Sequence, residues 1–229
     1  MRQSGSATFG FAVAALGLAA AIAFLFVVLE PADAKEACFA TVFLGLVAGA
    51  AVAPFLGPPA RTQFAICLGI GLATAAIALF AARGGHGLWW RAVLAGWFCA
   101  LFALAASHGG AVMERLLPGR LGPILVAGCA LALLFTLHVW DDAVFDGVTD
   151  RKGSASLAFA LNPAAAASVT LEFDWIHATE LYRHNETAES MAGVPRAGLG
   201  SYAWKTAMIA LVAGAIAMIL ERRRRGGRV

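Results

Sequence analysis

One cluster of residue types that bind metals lies at the end of an apolar stretch, where His138 is followed by Asp141 and Asp142. At the spacing i, i+3 and i+4, the three side chains would lie on one face of a helix end. A histidine with carboxylates suits a divalent transition-metal ion. Acidic residues after an apolar helix also often cap or solvate it. The cluster therefore predicts either a metal site or a solvated helix end.

A second polar group lies further along the chain, in the sequence LEFDWIHATELYRHNETAES. His177 has Asp174 and Glu180 three residues away on either side, and Arg183 and His184 follow. These residues form a second possible metal cluster. The partly amphipathic pattern otherwise predicts a polar segment at a membrane surface.

His108 is an ionisable residue inside an apolar stretch, which makes it a candidate functional residue. A haem with two histidine ligands needs both at one depth. His108 and His138 fall near opposite ends of successive stretches, so the sequence predicts no haem and favours a polar contact between helices for His108. The four cysteines are isolated and are interpreted as packing thiols. No nucleotide-binding loop or catalytic motif is present, so we predict no enzymatic activity and no cofactor in this chain.

The composition indicates which elements must position these residues. Of 229 residues, 60% are hydrophobic and only 14% are charged, which excludes a soluble enzyme and a disordered tail. A helix needs about 20 apolar residues to cross a bilayer. Six stretches qualify, and we predict an all-α membrane protein with spans at Thr8 to Leu29, Cys38 to Leu56, Gln63 to Ala82, Trp90 to Met113, Leu121 to Trp140 and Tyr202 to Leu220.

The distribution of charge predicts the orientation of these spans. With six crossings and a cytoplasmic N-terminus, the inner loops and ends carry nine Lys and Arg residues against two acids, and the outer ones carry eight against twelve. This asymmetry follows the positive-inside rule. Two basic residues beside an outer loop, Arg83 and Arg91, do not fit it. The Arg- and Ala-rich sequence is typical of bacteria, so we expect a bacterial inner-membrane protein with both termini cytoplasmic, in contact with lipids and with no nucleic-acid partner.

We divide the chain into a five-helix bundle (1–140), an outer segment (141–201) and a last helix with a basic tail (202–229). The outer segment contains an apolar run from Ser156 to Val169 that is too short to span a membrane. Asn162 and Pro163 break it in the middle, because proline disfavours helix at the preceding residue. Pro163 could also begin a second short helix that Asn162 caps. We therefore predict a broken re-entrant or interfacial helix packed against the bundle.

The overall layout resembles the ABC-2 type permeases of ABC transporters. The resemblance depends on six spans and on the sequences ALNPAAAAS, LYRHNETAE and YAWKTAMIALVAGAIAMILERRRR. It implies two short outer helices between the fifth and sixth spans, partner membrane subunits and a separate cytosolic ATPase. It also implies export of a substrate driven by that ATPase.

A second hypothesis remains open, in which the chain is a non-transporting scaffold or accessory subunit of a larger membrane complex. Members of the permease family usually have a sizeable inner loop between spans two and three. Here that loop is only Gly57 to Thr62, which offers little surface to an ATPase.

Overall fold

The computed structural model describes residues 34–57, 60–84, 87–117, 120–139, 161–173 and 199–226. Within these ranges the chain is helical and contains no strand. The first predicted span, the start of the broken segment and most of the outer polar segment lie outside them. The six α-helices of the described ranges are α1 (Ala34–Val52), α2 (Ala60–Ala81), α3 (Leu88–Leu116), α4 (Leu121–Val139), α5 (Pro163–Leu171) and α6 (Leu199–Gly226).

Four of these helical stretches are long and apolar enough to cross a membrane, which indicates a membrane protein. They are Ala34–Phe55, Arg61–Ala81, Leu88–Leu116 and Gly200–Arg223, and they correspond to the predicted second, third, fourth and sixth spans. Ala34–Phe55 includes a 3₁₀ turn, Ala53–Phe55, that continues α1. Helix α4 corresponds to the fifth predicted span, and its Leu121–Leu134 part counts as a shorter apolar helix.

Glycine and alanine bring α2 and α3 close together. A Cβ atom placed on Gly96 would lie 2.8 Å from the carbonyl oxygen of Gly71 and 2.5 Å from the Cβ of Ala75. A Cβ atom on Gly71 would in turn meet Ala100 and the carbonyl oxygen of Gly96. Small residues four apart on both helices therefore let the two backbones approach, as expected for helices that associate in lipid.

The helices α3, α4 and α6 have defined relative directions. Along α3 and α6 the contacts advance together, from Phe98 with Tyr202, through His108 with Ala210, to Arg115 with Glu221. These two helices are therefore parallel. Helix α4 runs the opposite way to α3, since Gly122 lies against Met113 while Val126 lies opposite Gly109.

Helix α6 lies at the side of the described bundle. Its large apolar side chains are mostly exposed, including Trp204 at 68% and Leu211 at 67%. The residues of α6 that are buried, Tyr202, Thr206, Ala210 and Ala217, recur every four or seven residues and face α3 and α5. One stripe of α6 thus packs against protein, and the remaining apolar surface is of the kind that faces lipid.

Candidate functional site

The short helix α5 is the most unusual element of the described chain. Its nine residues are far too few to cross a membrane, yet its alanines Ala164, Ala165, Ala166 and Ala167 are at most 2% exposed. They join a hydrophobic cluster with large side chains of α1, α3 and α4, among them Leu46, Phe98 and Leu134. The small alanine side chains let a complete helix fit among longer helices.

Asn162 precedes this helix as its N-cap and anchors it to α4. Its side-chain oxygen accepts hydrogen bonds from the backbone N–H groups of Ala164 (2.8 Å) and Ala165 (3.2 Å), which an N-cap residue typically does. Its side-chain nitrogen donates to the carbonyl oxygen of Leu134 at 3.1 Å. Asn162 is fully buried, so these bonds satisfy polar groups that water cannot reach.

Pro163 is the first residue of α5, where its missing N–H costs no helical hydrogen bond. The structure has a short helix that begins at Pro163 with Asn162 as its cap, which is one arrangement that the sequence allows. The preceding half of the predicted broken helix, before Leu161, lies outside the described residues.

Glu172 ends α5 in a left-handed conformation, with φ 52° and ψ 35°. It is the one residue other than glycine with a positive φ in the part of the chain that the structure describes. The Phe173 N–H bonds to the carbonyl oxygen of Ser168 (3.0 Å), and the Glu172 N–H bonds to that of Val169 (3.2 Å). This pair of bonds is a Schellman C-cap, in which glycine usually occupies the position of Glu172.

The Glu172 carboxylate contacts basic residues from two other helices. Arg91 of α3 lies 2.6 Å from one carboxylate oxygen, and Lys35 of α1 lies 3.7 Å from the other. Lys35 also donates to the backbone carbonyl oxygen of Glu172 at 3.5 Å. The hydrogen bond from Arg91, together with the positive charges of Arg91 and Lys35, lowers the pKa of the Glu172 carboxyl below its ordinary value.

The site lies at one end of the bundle. Lys35 and Arg91 belong to the first turns of α1 and α3, and Leu134 lies towards the end of α4. Tyr202, near the start of α6, joins the same hydrophobic cluster as α5. All four positions fall at the end that the sequence predicts to be the outer one.

Sequence reasoning identified Asn162 and Pro163 but did not select Glu172, Arg91 or Lys35. One signal is available, because Arg91 is a basic residue beside a predicted outer loop, where the positive-inside rule disfavours it. A cation in such a place needs a partner, and that partner is Glu172.

His108 lies on the face of α3 that contacts α6. Its Nδ1 atom is 3.0 Å from the carbonyl oxygen of Ala210. Gly214 lies beside the ring, since a Cβ atom there would be 3.0 Å from the same nitrogen. His108 therefore makes the contact between helices that the sequence favours. Gly214 lies one helical turn after Ala210, and because glycine has no side chain it leaves room for the imidazole ring.

Arg115 forms a second contact between α3 and α6. Its guanidinium donates to the carbonyl oxygen of Ala217 and lies 3.4 Å from the Glu221 carboxylate. His108 and Arg115 are seven residues apart, as are the two carbonyls that they meet. The two contacts fix the register of the parallel pair α3 and α6.

The metal candidates are not resolved by the described side chains. The backbone of His138 belongs to α4, but its side chain and the whole of Asp141 and Asp142 lie outside the description. The second group (Asp174, His177, Glu180, Arg183 and His184) also lies outside it. In the described ranges no three His, Cys, Asp or Glu side chains come together as metal ligands. Both metal sites remain predictions.

The four cysteines form no disulfide bond. Cys38, Cys67 and Cys99 are buried in the helix bundle, and Cys129 is exposed on α4. The Cys38 thiol donates to the carbonyl oxygen of Ala78 at 3.2 Å, which links α1 to α2.

Comparison with known protein families, characterised proteins and solved structures found no match to this chain.

Proposed function

We propose that the chain is a permease-like membrane subunit of an ABC-type export complex, in which a separate ATPase chain supplies ATP hydrolysis. One observation carries this proposal. A short helix, capped by Asn162, is buried at one end of the bundle and lies between α4 and α6 along the chain. A buried, non-spanning helix in this place is what resemblance to ABC-2 type permeases implies.

The contacts inside the bundle suit a protein that changes shape when a partner acts on it. Close packing of α2 on α3 through Gly71 and Gly96 makes those helices a stiff unit. Helix α6, by contrast, meets the described bundle along one stripe only. We propose that ATPase closure moves these two units relative to each other and that substrate leaves near α5. Bacterial inner-membrane location with cytoplasmic termini belongs to the same proposal, as do membrane partner subunits.

A second function is favoured by the connection between α1 and α2. Only residues 56–59 lie between the 3₁₀ turn that ends at Phe55 and the start of α2 at Ala60. Such a short connection leaves little surface for an ATPase to grip. The alternative is an accessory or scaffold subunit that has kept the permease layout without coupling to ATP.

Purification in a mild detergent with a C-terminal tag, followed by mass spectrometry, separates these functions. The export proposal expects a nucleotide-binding ATPase at near-stoichiometric amounts. Repeated recovery of other enzyme or membrane subunits without an ATPase would overturn it and favour the accessory role.

A matched pair of glycine variants makes the test specific to the short inner connection. Gly57 lies in that connection and Gly200 lies near the start of α6, and at either position an added Cβ atom would meet no atom of the described residues within 4 Å. Gly57→Trp is expected to reduce recovery of the ATPase several-fold, whereas Gly200→Trp leaves it unchanged. Equal recovery from both variants would show that the ATPase does not bind the connection.

A further inference from the structure

Glu172 occupies a left-handed backbone conformation that glycine adopts more readily. Its side chain makes ionic contacts that glycine could not make. The carboxylate bridges Arg91 at 2.6 Å and Lys35 at 3.7 Å, which come from α3 and α1. A strained residue that persists in a fold is a sign of function when it makes contacts that an unstrained residue cannot make. Here those contacts tie the end of α5 to two long helices.

The tie lies at the surface, while the helix that it holds is buried. The side chains of Glu172 and Lys35 are 57% and 42% exposed, and that of Arg91 is 21% exposed. The carboxylate is open to solvent and only Arg91 is largely covered, and ion pairs that water can reach are individually weak. The alanines of α5 belong to the same buried hydrophobic cluster as Leu46, Phe98 and Leu134. Movement of α5 would therefore open an apolar cavity at this end of the bundle.

Arg91 retains capacity to change partners. Its Nε atom is buried and has no hydrogen-bond partner among the described residues, although its Nη2 atom binds Glu172. A guanidinium that is satisfied on only one side holds its carboxylate less firmly than one bound through both. The pair is thus suited to reversible contact.

We propose that Glu172, Arg91 and Lys35 form a reversible ionic latch, which holds α5 as a lid over one end of the helix bundle. When the latch breaks, the C-terminal turn of α5 leaves its place and exposes the apolar residues beneath. The latch is a property of this chain alone and goes beyond the proposed partnership with an ATPase, so it can be tested without any partner.

A buried reporter thiol measures how often the lid opens. Ser168 is 1% exposed and lies one turn before Glu172, and Ser168→Cys is close in size. Cys129, the exposed native cysteine, is replaced by alanine. The full-length chain in lipid nanodiscs is then treated with a charged thiol reagent, and the rate of modification at position 168 is recorded.

The latch predicts a graded series of rates. Glu172→Gln and Arg91→Gln should each speed modification about two- to fivefold, because a surface ion pair shifts an equilibrium by no more than about fivefold. Lys35→Gln should have a smaller effect, since its contact is longer. Glu221→Gln is the matched control, because it removes the ion pair at the other end of α3 and should leave the rate unchanged.

Two results would overturn the latch. One is modification of Glu172→Gln and Arg91→Gln at the rate of the parent. The other is parallel modification of Cys67, a buried native cysteine on α2 outside the cluster that contains α5, because general unfolding would then explain the faster rate.

Discussion

Helix α3 forms an arginine–glutamate ion pair near each of its ends, and the two pairs join very different partners. At one end, Arg91 holds Glu172 at the end of a nine-residue helix. At the other end, Arg115 holds Glu221 on a helix of 28 residues that already packs along α3. Exposure of the four side chains is similar. The first pair therefore controls the position of the short helix α5. The second only adds to the long interface between α3 and α6.

The largest effect is expected when the buried cap of α5 is removed. Asn162→Ala leaves two backbone N–H groups and the Leu134 carbonyl oxygen without their buried partner. Loss of the cap costs about 1 kcal/mol, and a buried unsatisfied group costs a further 1–3 kcal/mol or so. Thermal unfolding of the purified protein should show this loss.

Asn162→Ser is the control for this variant. Serine can still accept the capping hydrogen bonds but cannot reach Leu134, so its melting temperature should lie between those of the parent and the alanine variant. If the parent and both variants melt together, Asn162 does not anchor α5.

A steric change between α3 and α6, beside His108, should have the next largest effect. Gly214→Leu places a side chain against His108 and pushes α6 away from α3, at a cost of roughly 1–3 kcal/mol for overpacking. Gly200→Leu changes the same helix where no described residue lies within 4 Å of an added Cβ atom, and it should be nearly neutral. Thermal melting compares the two variants.

A double variant tests the cause of that loss. His108→Ala removes the ring that Gly214→Leu would strike, so the double variant should be more stable than the sum of the single changes implies. Additive losses would show that the two residues do not meet.

A smaller effect separates the charge of Glu172 from its backbone strain. Glu172→Gly and Glu172→Gln both remove the ion pairs, but glycine adopts the left-handed conformation without a clash. Glu172→Gly should therefore melt a few degrees above Glu172→Gln. The reverse order would mean that the left-handed cap stores no strain.

The smallest effect is a dependence on pH that distinguishes the parent from Glu172→Gln. Arg91 lowers the pKa of Glu172 in the folded protein, so the carboxylate stabilises the fold above its ordinary pKa of about 4.5. That contribution is lost as the pH falls through the lowered value. The difference in melting temperature should be constant from pH 8 to 5 and should shrink below about pH 4. A difference that grows as the pH falls would contradict this assignment.

The sequence predicts the start of α5 much better than its end. Asparagine before proline is a local signal, and both roles can be deduced from neighbouring residues. The end of α5 lacks the glycine that usually marks a Schellman cap, so Glu172 gives no such signal. Its partner Lys35 is 137 residues away along the chain, and no local pattern connects them.

The long helices were predictable for a different reason. Twenty apolar residues with unpaired backbone groups can cross a bilayer only as helix. The sequence indicates that His108 makes a polar contact with another helix, but it does not indicate with which residue. The partner is a backbone carbonyl oxygen, which any residue could provide. Side chains meet such acceptors only where packing brings them, and Gly214 decides that place here.

The relative directions of α3, α4 and α6 have one further consequence. Because α4 is antiparallel to α3 and α6 is parallel to it, the end of α4 and the beginning of α6 face the same side. Any polypeptide that joins them starts and finishes at the same end of the bundle, whatever its length. The connection can therefore become longer or shorter during evolution without reversing the direction of α6. A reporter domain fused there and one fused to the C-terminus would lie beyond opposite ends of α6.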